Sequence, residues 1–143
     1  MGRVSNAVTI GFAGLAAFQA ALAAGAPLGN AAWGGAHAEL TSGQRVGSAA
    51  AVFAYVAAIC IVRGRVAGRP ERLYRWGTWV LVGILGLASI ANVASESQWE
   101  SYVLAPVAIV LAALCFLVAR TAVIGEDARQ EAFNPSPRPH FPE

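Results

Sequence analysis

The sequence has little charge and few of the side chains on which catalysis usually depends. It contains no lysine, two histidines and two cysteines, and 13% of its 143 residues are charged, against 57% that are hydrophobic. Soluble domains carry about 25% charged residues, so this balance argues against a water-soluble fold. The net charge of +2 is too small to indicate binding to nucleic acid. The composition indicates a single-domain membrane protein.

The two cysteines, Cys60 and Cys115, lie far apart, and the sequence has no C-x-x-C motif. Without such a pair the chain lacks the reactive centre of a four-helix thiol oxidoreductase. Free cysteine is often buried as a small hydrophobic residue. We therefore interpret both cysteines as packing residues.

Ionisable residues are missing from the long apolar stretches. Ion-coupled transport usually needs such a residue inside a span, and a haem needs an axial ligand such as histidine there. Outside the spans, His37, Glu39 and Glu96 lack the close ligand spacing of a metal site. No set of nucleophile, base and stabilising group can be assembled either. We predict no catalytic residue, no metal and no cofactor.

The most prominent feature of the sequence is a series of four apolar, charge-free runs, at about residues 6–26, 46–62, 76–95 and 101–119. A membrane-spanning helix needs roughly 17–25 residues of this kind. None of the runs has the polar face that a helix of a water-soluble bundle requires. Lipid must then surround the outward faces. We predict an all-α bundle of four transmembrane helices within residues 1–124.

The arginines are distributed unevenly about these runs. The loop between the second and third runs contains Arg63, Arg65, Arg69, Arg72 and Arg75. Arg3 precedes the first run and Arg120 follows the fourth, whereas Arg45 is the basic residue on the opposite side. Because cytoplasmic loops are rich in arginine and lysine, we predict a protein of the cytoplasmic membrane with both termini in the cytoplasm.

Residues 1–23 allow a second interpretation, as a secretory signal peptide. Arg3 is followed by an apolar stretch and by Ala21-Leu22-Ala23, a possible cleavage site. Cleavage would leave three helices and an exterior N-terminus. The apolar stretch is longer than the roughly 7–15 residues of a usual signal peptide, which favours a retained helix.

Several local signals mark helix ends and the C-terminal tail. Thr41-x-x-Gln44 and Ser97-x-x-Glu100 match the capping box, and Pro106 should kink the fourth helix. Residues 125–143 are polar and contain alternating prolines at positions 135, 137 and 139. Such proline-rich segments favour extended, disordered chain. We predict a flexible cytoplasmic tail.

Polar residues gather near the outer ends of the predicted helices. Gln19 and Asn92 lie roughly 20 and 24 Å along the first and third runs, at a rise of about 1.5 Å per residue. Their amides are therefore at similar depths and can form a hydrogen bond. Tyr55 lies near the middle of the bilayer, where its hydroxyl needs an internal acceptor.

These residues allow two interpretations, of which the more specific is a small outward-facing polar pocket covered by the loop of residues 25–44. In it we expect Arg45 to pair with Glu96 or Glu100. The candidate ligand-binding residues are Gln19, Trp33, His37, Arg45, Tyr55, Asn92, Glu96 and Glu100. We favour the other interpretation, ordinary interfacial polarity with one structural amide pair, because polar residues belong at this level of a membrane protein.

The first loop carries a specific pattern: Gly25-Ala26-Pro27-Leu28-Gly29, then Ala32-Trp33-Gly34-Gly35-Ala36-His37, then Arg45 at a helix start. This pattern resembles a loop of small, uncharacterised bacterial four-helix membrane proteins. The later Ser95-x-x-x-Trp99-Glu100 and Pro106 are similar too. The resemblance covers the four helices but not the tail. It implies a helix bundle in a bacterial cytoplasmic membrane and no particular activity.

Three functions remain open at this point. The first, which we favour from the sequence, is a non-enzymatic accessory or self-associating bundle, which would use the alanine stripes at 13, 17 and 21 and at 50, 54 and 58. The second is a carrier or binding protein for a small ligand, and the third is a subunit of a membrane enzyme. The expected partners are the lipid bilayer and a homo-oligomer or larger membrane complex. A deep cavity reaching Tyr55 and Gln19 would favour the second function, and tight packing would favour the first.

Overall fold

A computed structural model describes residues 2–35, 37–69 and 72–133, with side chains described as far as Arg120. Its regular elements are four α-helices: α1 (Gly2–Ala23), α2 (Ser42–Val66), α3 (Arg72–Val93) and α4 (Ala105–Phe133). A 3-10 turn covers Gly29–Ala31, and a π-helical turn covers Glu100–Leu104. No strand occurs within the described ranges. The prediction of an all-α fold is confirmed.

All four helices are long and apolar enough to cross a membrane, the fourth over Glu100–Arg120. They overlap the four predicted spans, and α2 extends beyond its span at both ends. Arginine bounded the predicted span, but arginine is also a good helix former, so the helix continues past Arg63 to Val66. The four-span prediction agrees with these helices.

The last helix reaches further than the sequence indicated. The tail was predicted to begin at residue 125, whereas α4 continues to Phe133. The added segment is rich in alanine, arginine, glutamine and glutamate, which favour helix. The alternating prolines lie outside the described residues.

The helices run up and down, and they pair as α1 with α2 and α3 with α4. We call the end of the bundle with loops 24–41 and 94–99 the loop end. The opposite end, with the start of α1 and residues 67–69, is the arginine end. A core of buried side chains from all four helices joins the two pairs, with the members Val8, Phe12, Ala58, Val62, Leu85, Leu111, Cys115 and Val118.

The outer surface of the bundle is strongly apolar. Ile10, Phe53 and Leu87, on three different helices, are 72%, 76% and 70% exposed. Soluble proteins rarely expose apolar surface on this scale. Such a surface matches a transmembrane bundle whose outward faces contact lipid.

Helix ends follow the predicted chemistry in one place and depart from it in another. The capping box at α2 is confirmed, because Thr41 and Gln44 exchange both hydrogen bonds. At the π-turn only half of the box forms: Ser97 Oγ accepts the Glu100 N–H at 3.4 Å. The Glu100 carboxylate does not accept a hydrogen bond from the Ser97 N–H. It accepts hydrogen bonds from the Gly34 N–H and the Ser95 hydroxyl instead.

Pro106 lies just after the π-turn. There the Ala105 N–H donates to the Glu100 carbonyl, five residues back. Proline has no N–H and its ring crowds the carbonyl four residues earlier, so a wider turn relieves both problems. The sequence predicts a kink at Pro106, and the structure has a π-helical turn over Glu100–Leu104 just before it.

Candidate functional site

A cavity of about 230 Å³ lies between all four helices at the loop end. Five of the eight predicted site residues line it: Gln19, Trp33, Tyr55, Asn92 and Glu100. The other lining residues are apolar: Leu15, Phe18, Ala32, Leu85, Ala88, Leu104 and Ala108. The cavity therefore combines an apolar wall with a few polar groups, which is the usual make-up of a small-molecule site.

Gln19 places its side-chain amide in this cavity. Its Oε1 atom is buried, and no donor in the described part of the chain reaches it. The predicted hydrogen bond between Gln19 and Asn92 does not form, although both residues line the cavity. The physical reason is that the main packing partners of α1 are α2 and α4, so Gln19 and Asn92 lie on helices that do not pack closely on each other.

Tyr55 marks the deep part of the same cavity. Its ring packs on the Phe12 ring, with the centroids 5.9 Å apart. The internal acceptor predicted for its hydroxyl is not found among the described residues, and the side-chain amide of Asn92 likewise has no described partner. Gln19, Tyr55 and Asn92 thus line one cavity with polar groups that the described protein does not satisfy.

Residues 29–35 cover the loop end of the bundle, and we call this segment the lid. The Gly34 N–H donates to both oxygens of the Glu100 carboxylate, at 3.2 and 3.3 Å. The Ser95 hydroxyl also donates to Glu100. Ser97 Oγ donates to the Asn30 carbonyl at 2.9 Å. The loop between α3 and α4 therefore holds the lid in place.

Trp33 attaches the lid to α2. Its indole Nε1 donates to Ser48 Oγ at 3.1 Å. Its ring lies against Gly47, where a Cβ atom would be 2.7 Å from Trp33 Cη2. Trp33 has a φ of +57°, which is unusual for a bulky residue. A residue held in that region stores about 1–3 kcal/mol of strain, which the surrounding contacts must offset.

Sequence reasoning missed several residues that build the lid. Ser48 is fully buried and gave no signal, because serine inside an apolar helix has many possible roles. Gly34 and Gly35 both have positive φ, and a Gly-Gly pair is a recognisable turn signal. The sequence indicated Ser97 as a helix cap, but it gave no sign of the hydrogen bond from Ser97 to Asn30 in the lid.

Three predicted site residues lie outside the cavity. Arg45 Nε donates to the Ala23 carbonyl at 3.1 Å, and no ion pair to Glu96 or Glu100 forms among the described side chains. A cation at the C-terminal end of α1 satisfies a free carbonyl and favours the helix dipole. His37 is exposed and borders a separate cavity of about 20 Å³. Glu96 is exposed.

The cavity is lined by a small set of polar groups. Its polar groups are two neutral amides, a phenol and one carboxylate, and that carboxylate already accepts hydrogen bonds from Gly34 and Ser95. His37, Glu39 and Glu96 belong to no cluster of metal-binding side chains in the described ranges. Comparison with protein-family models, curated proteins and solved structures finds no match to this chain.

Proposed function

We propose that this chain is a multi-pass protein of the cytoplasmic membrane that binds a small molecule beneath the lid. The molecule has an apolar body and a hydroxyl group. The observation that carries this proposal is the convergence of Gln19, Tyr55 and Asn92 on one largely apolar cavity, where the buried Gln19 Oε1 atom has no partner among the described residues. A cavity reaching Tyr55 and Gln19 is the feature that favours a binding protein over an accessory bundle.

The chemistry of the ligand follows from the groups that it must satisfy. An unsatisfied buried amide costs about 1–3 kcal/mol, which a bound partner recovers. A hydroxyl both donates and accepts, so it can pair with either end of the Gln19 amide. Because an apolar cavity of about 150 Å³ holds benzene, the present cavity, at about 230 Å³, suits a substituted monocyclic aromatic or a short branched alcohol.

The proposed membrane and orientation are supported by the placement of arginines. Arg63, Arg65, Arg69, Arg72 and Arg75 lie at or near the arginine end, in α2, α3 and the segment between them. The positive-inside rule assigns this end to the cytoplasm. The lid then faces the outside, so the ligand enters from the exterior or from the outer leaflet.

A fluorescence titration tests the binding proposal. The full chain retains Trp33 as its reporter, with Trp76, Trp79 and Trp99 replaced by phenylalanine. The probes are m-cresol, which has a hydroxyl, and toluene, which lacks one. We expect saturable binding of m-cresol and binding of toluene that is about tenfold weaker, the cost of one buried hydrogen bond.

A matched pair of variants shows whether the probe enters the cavity. Ala88 lines the cavity, whereas Ala91 is exposed on the same helix. Ala88→Leu should abolish saturable binding, and Ala91→Leu should leave it unchanged. If both variants give the same unsaturable fluorescence change with both probes, the probes are dissolving in the detergent. That result would contradict the binding proposal.

A self-associating or accessory bundle is the second candidate. Ala13 and Ala17 on α1 and Ala50 and Ala54 on α2 are exposed, whereas Ala58 is buried in the core, so packing within the bundle leaves part of these stripes available. Small residues let helices approach closely in lipid. Measuring the particle mass in mild detergent tests this role. A dimer, or a complex with the same partner protein in every preparation, supports it. A monomer in every preparation would exclude it. The third candidate, an enzyme subunit, has no observation in its favour.

A further inference from the structure

A second and larger cavity opens at the arginine end, away from the lid. It has a volume of about 540 Å³ and lies between the first residues of α1, the last turns of α2 and the start of α3. Its polar lining consists of Ser5, Asn6, Arg63, Arg69 and Tyr74, and it contains no carboxylate among its described residues. We call it the arginine groove. The charged residues that line it are the arginines Arg63 and Arg69, whereas the charged residue that lines the cavity beneath the lid is Glu100.

The fold fixes one side of this groove. Arg69 Nη1 donates to the Tyr74 hydroxyl at 3.1 Å, and the guanidinium carbon lies 5.8 Å from the centre of the Tyr74 ring. Tyr74 in turn packs against Gly64, where a Cβ atom would overlap its ring. These contacts hold an arginine and a phenol together at the junction of α2 and α3.

The other side of the groove combines a cation with apolar surface. Arg63 is exposed, and it lies one helical turn after Ile59 and Cys60, which also line the groove. Guanidinium groups match the oxygens of a phosphate, and hydroxyl and amide donors add to such a site. Ile59 and the exposed Cys60 continue the lining along α2 toward the middle of the bundle.

We propose that the arginine groove binds an anionic phospholipid, with its phosphate between Arg63 and Arg69 and an acyl chain along Ile59 and Cys60. The groove lies where the apolar part of α2 ends, which is the level of lipid headgroups. Basic residues at that level favour anionic lipids. This site is separate from the cavity beneath the lid, and its test does not depend on the ligand there.

Native mass spectrometry of the full chain in mild detergent tests the proposal. The probes are phosphatidylglycerol and phosphatidylcholine, added at equal concentration. Arg63→Gln with Arg69→Gln changes the groove. The matched control is Arg72→Gln with Arg75→Gln, which removes the same charge from exposed residues that do not line the groove. We expect the wild type and the control to retain phosphatidylglycerol preferentially, and the groove variant to lose at least about tenfold in retention.

Other outcomes overturn the proposal. An equal loss in both double variants would indicate general attraction to net positive charge, and equal retention of the two lipids would remove the specificity. Displacement of phosphatidylglycerol by inorganic phosphate would assign the groove to free phosphate. If the groove variant does not fold, the Arg63→Gln variant is tested alone. Because that side chain is exposed, its replacement should leave the fold intact, and the same loss of phosphatidylglycerol retention is expected.

Discussion

Gly34 in the lid donates its backbone N–H to the carboxylate of Glu100, at the start of the π-turn, with both N–O distances between 3.2 and 3.3 Å. The two residues are 66 positions apart in the sequence. Glu100 also lines the cavity beneath the lid. One side chain therefore both borders the cavity and holds the lid in place.

Replacing Glu100 by glutamine should loosen the lid. The amide keeps its size but loses the charge that strengthens the bonds from Gly34 and Ser95. Because the side chain is only half-buried, we expect a loss of about 1 kcal/mol in the free energy of unfolding. Hydrogen exchange at residues 29–35 should become faster than in the wild type.

The control for that experiment is Glu96→Gln, which makes the same chemical change at an exposed neighbouring position. It should leave exchange in the lid unaltered. If the two variants exchange alike, the contact between Gly34 and Glu100 does not hold the lid.

Gly47→Ala should displace Trp33. The added methyl group would lie 2.7 Å from Trp33 Cη2, so the ring must move and its hydrogen bond to Ser48 is lost. Overpacking of this kind costs about 1–3 kcal/mol. Near-ultraviolet circular dichroism and thermal unfolding in detergent measure the two effects.

Gly43→Ala is the matched control, since an added Cβ at that position of the same helix meets nothing within 4 Å. Its unfolding free energy should stay within about 0.5 kcal/mol of the wild type. Equal spectra and equal stability of the two variants would contradict the described position of Trp33.

Gln19→Leu should separate stability from binding. Leucine has a similar volume and removes a buried amide oxygen without a described partner. We expect the variant without added probe to be more stable by about 1 kcal/mol, and its affinity for m-cresol to fall about tenfold. Thermal unfolding and the fluorescence titration measure the two quantities. A less stable variant would show that the amide is already satisfied in the wild type.

The two cysteines should differ in reactivity. Cys60 is exposed at the arginine groove and Cys115 is completely buried in the core. In the folded protein, N-ethylmaleimide should label Cys60 alone, and Cys115 should react only after unfolding in dodecyl sulfate. Mass spectrometry counts the added groups, and Cys60→Ser should give no label while folded. Rapid labelling of Cys115 would contradict the core packing.

The helices were predictable from sequence because their signal is local. A run without charge needs no knowledge of its neighbours, and the Thr41 capping box involves residues three positions apart. The convergence of Gln19, Tyr55 and Asn92 on one cavity followed from rise per residue in antiparallel helices. The rise per residue fixes the depth of a side chain but not the distance between helices, so the predicted hydrogen bond between Gln19 and Asn92 was wrong.

The lid was not predictable in the same way. Its tie to Glu100 depends on the positive φ of Trp33, Gly34 and Gly35, which turns a backbone N–H toward a residue of the opposite helix pair. The partner of Arg45 is a backbone carbonyl, and carbonyls are present at every residue. Opposite charge in the sequence therefore suggested Glu96 or Glu100 as the partner of Arg45. In the structure the acceptor is the Ala23 carbonyl at the end of α1.

Native mass spectrometry tests most directly whether the cavity beneath the lid binds a small molecule. The full chain is extracted from its membrane in mild detergent, and small molecules that the protein retains are detected. We expect the wild type and the Ala91→Leu variant to carry a compact molecule with a hydroxyl group. The Ala88→Leu variant, in which leucine fills the cavity, should not carry it. If all three proteins carry no small molecule, or the same one, the cavity beneath the lid is not a binding site.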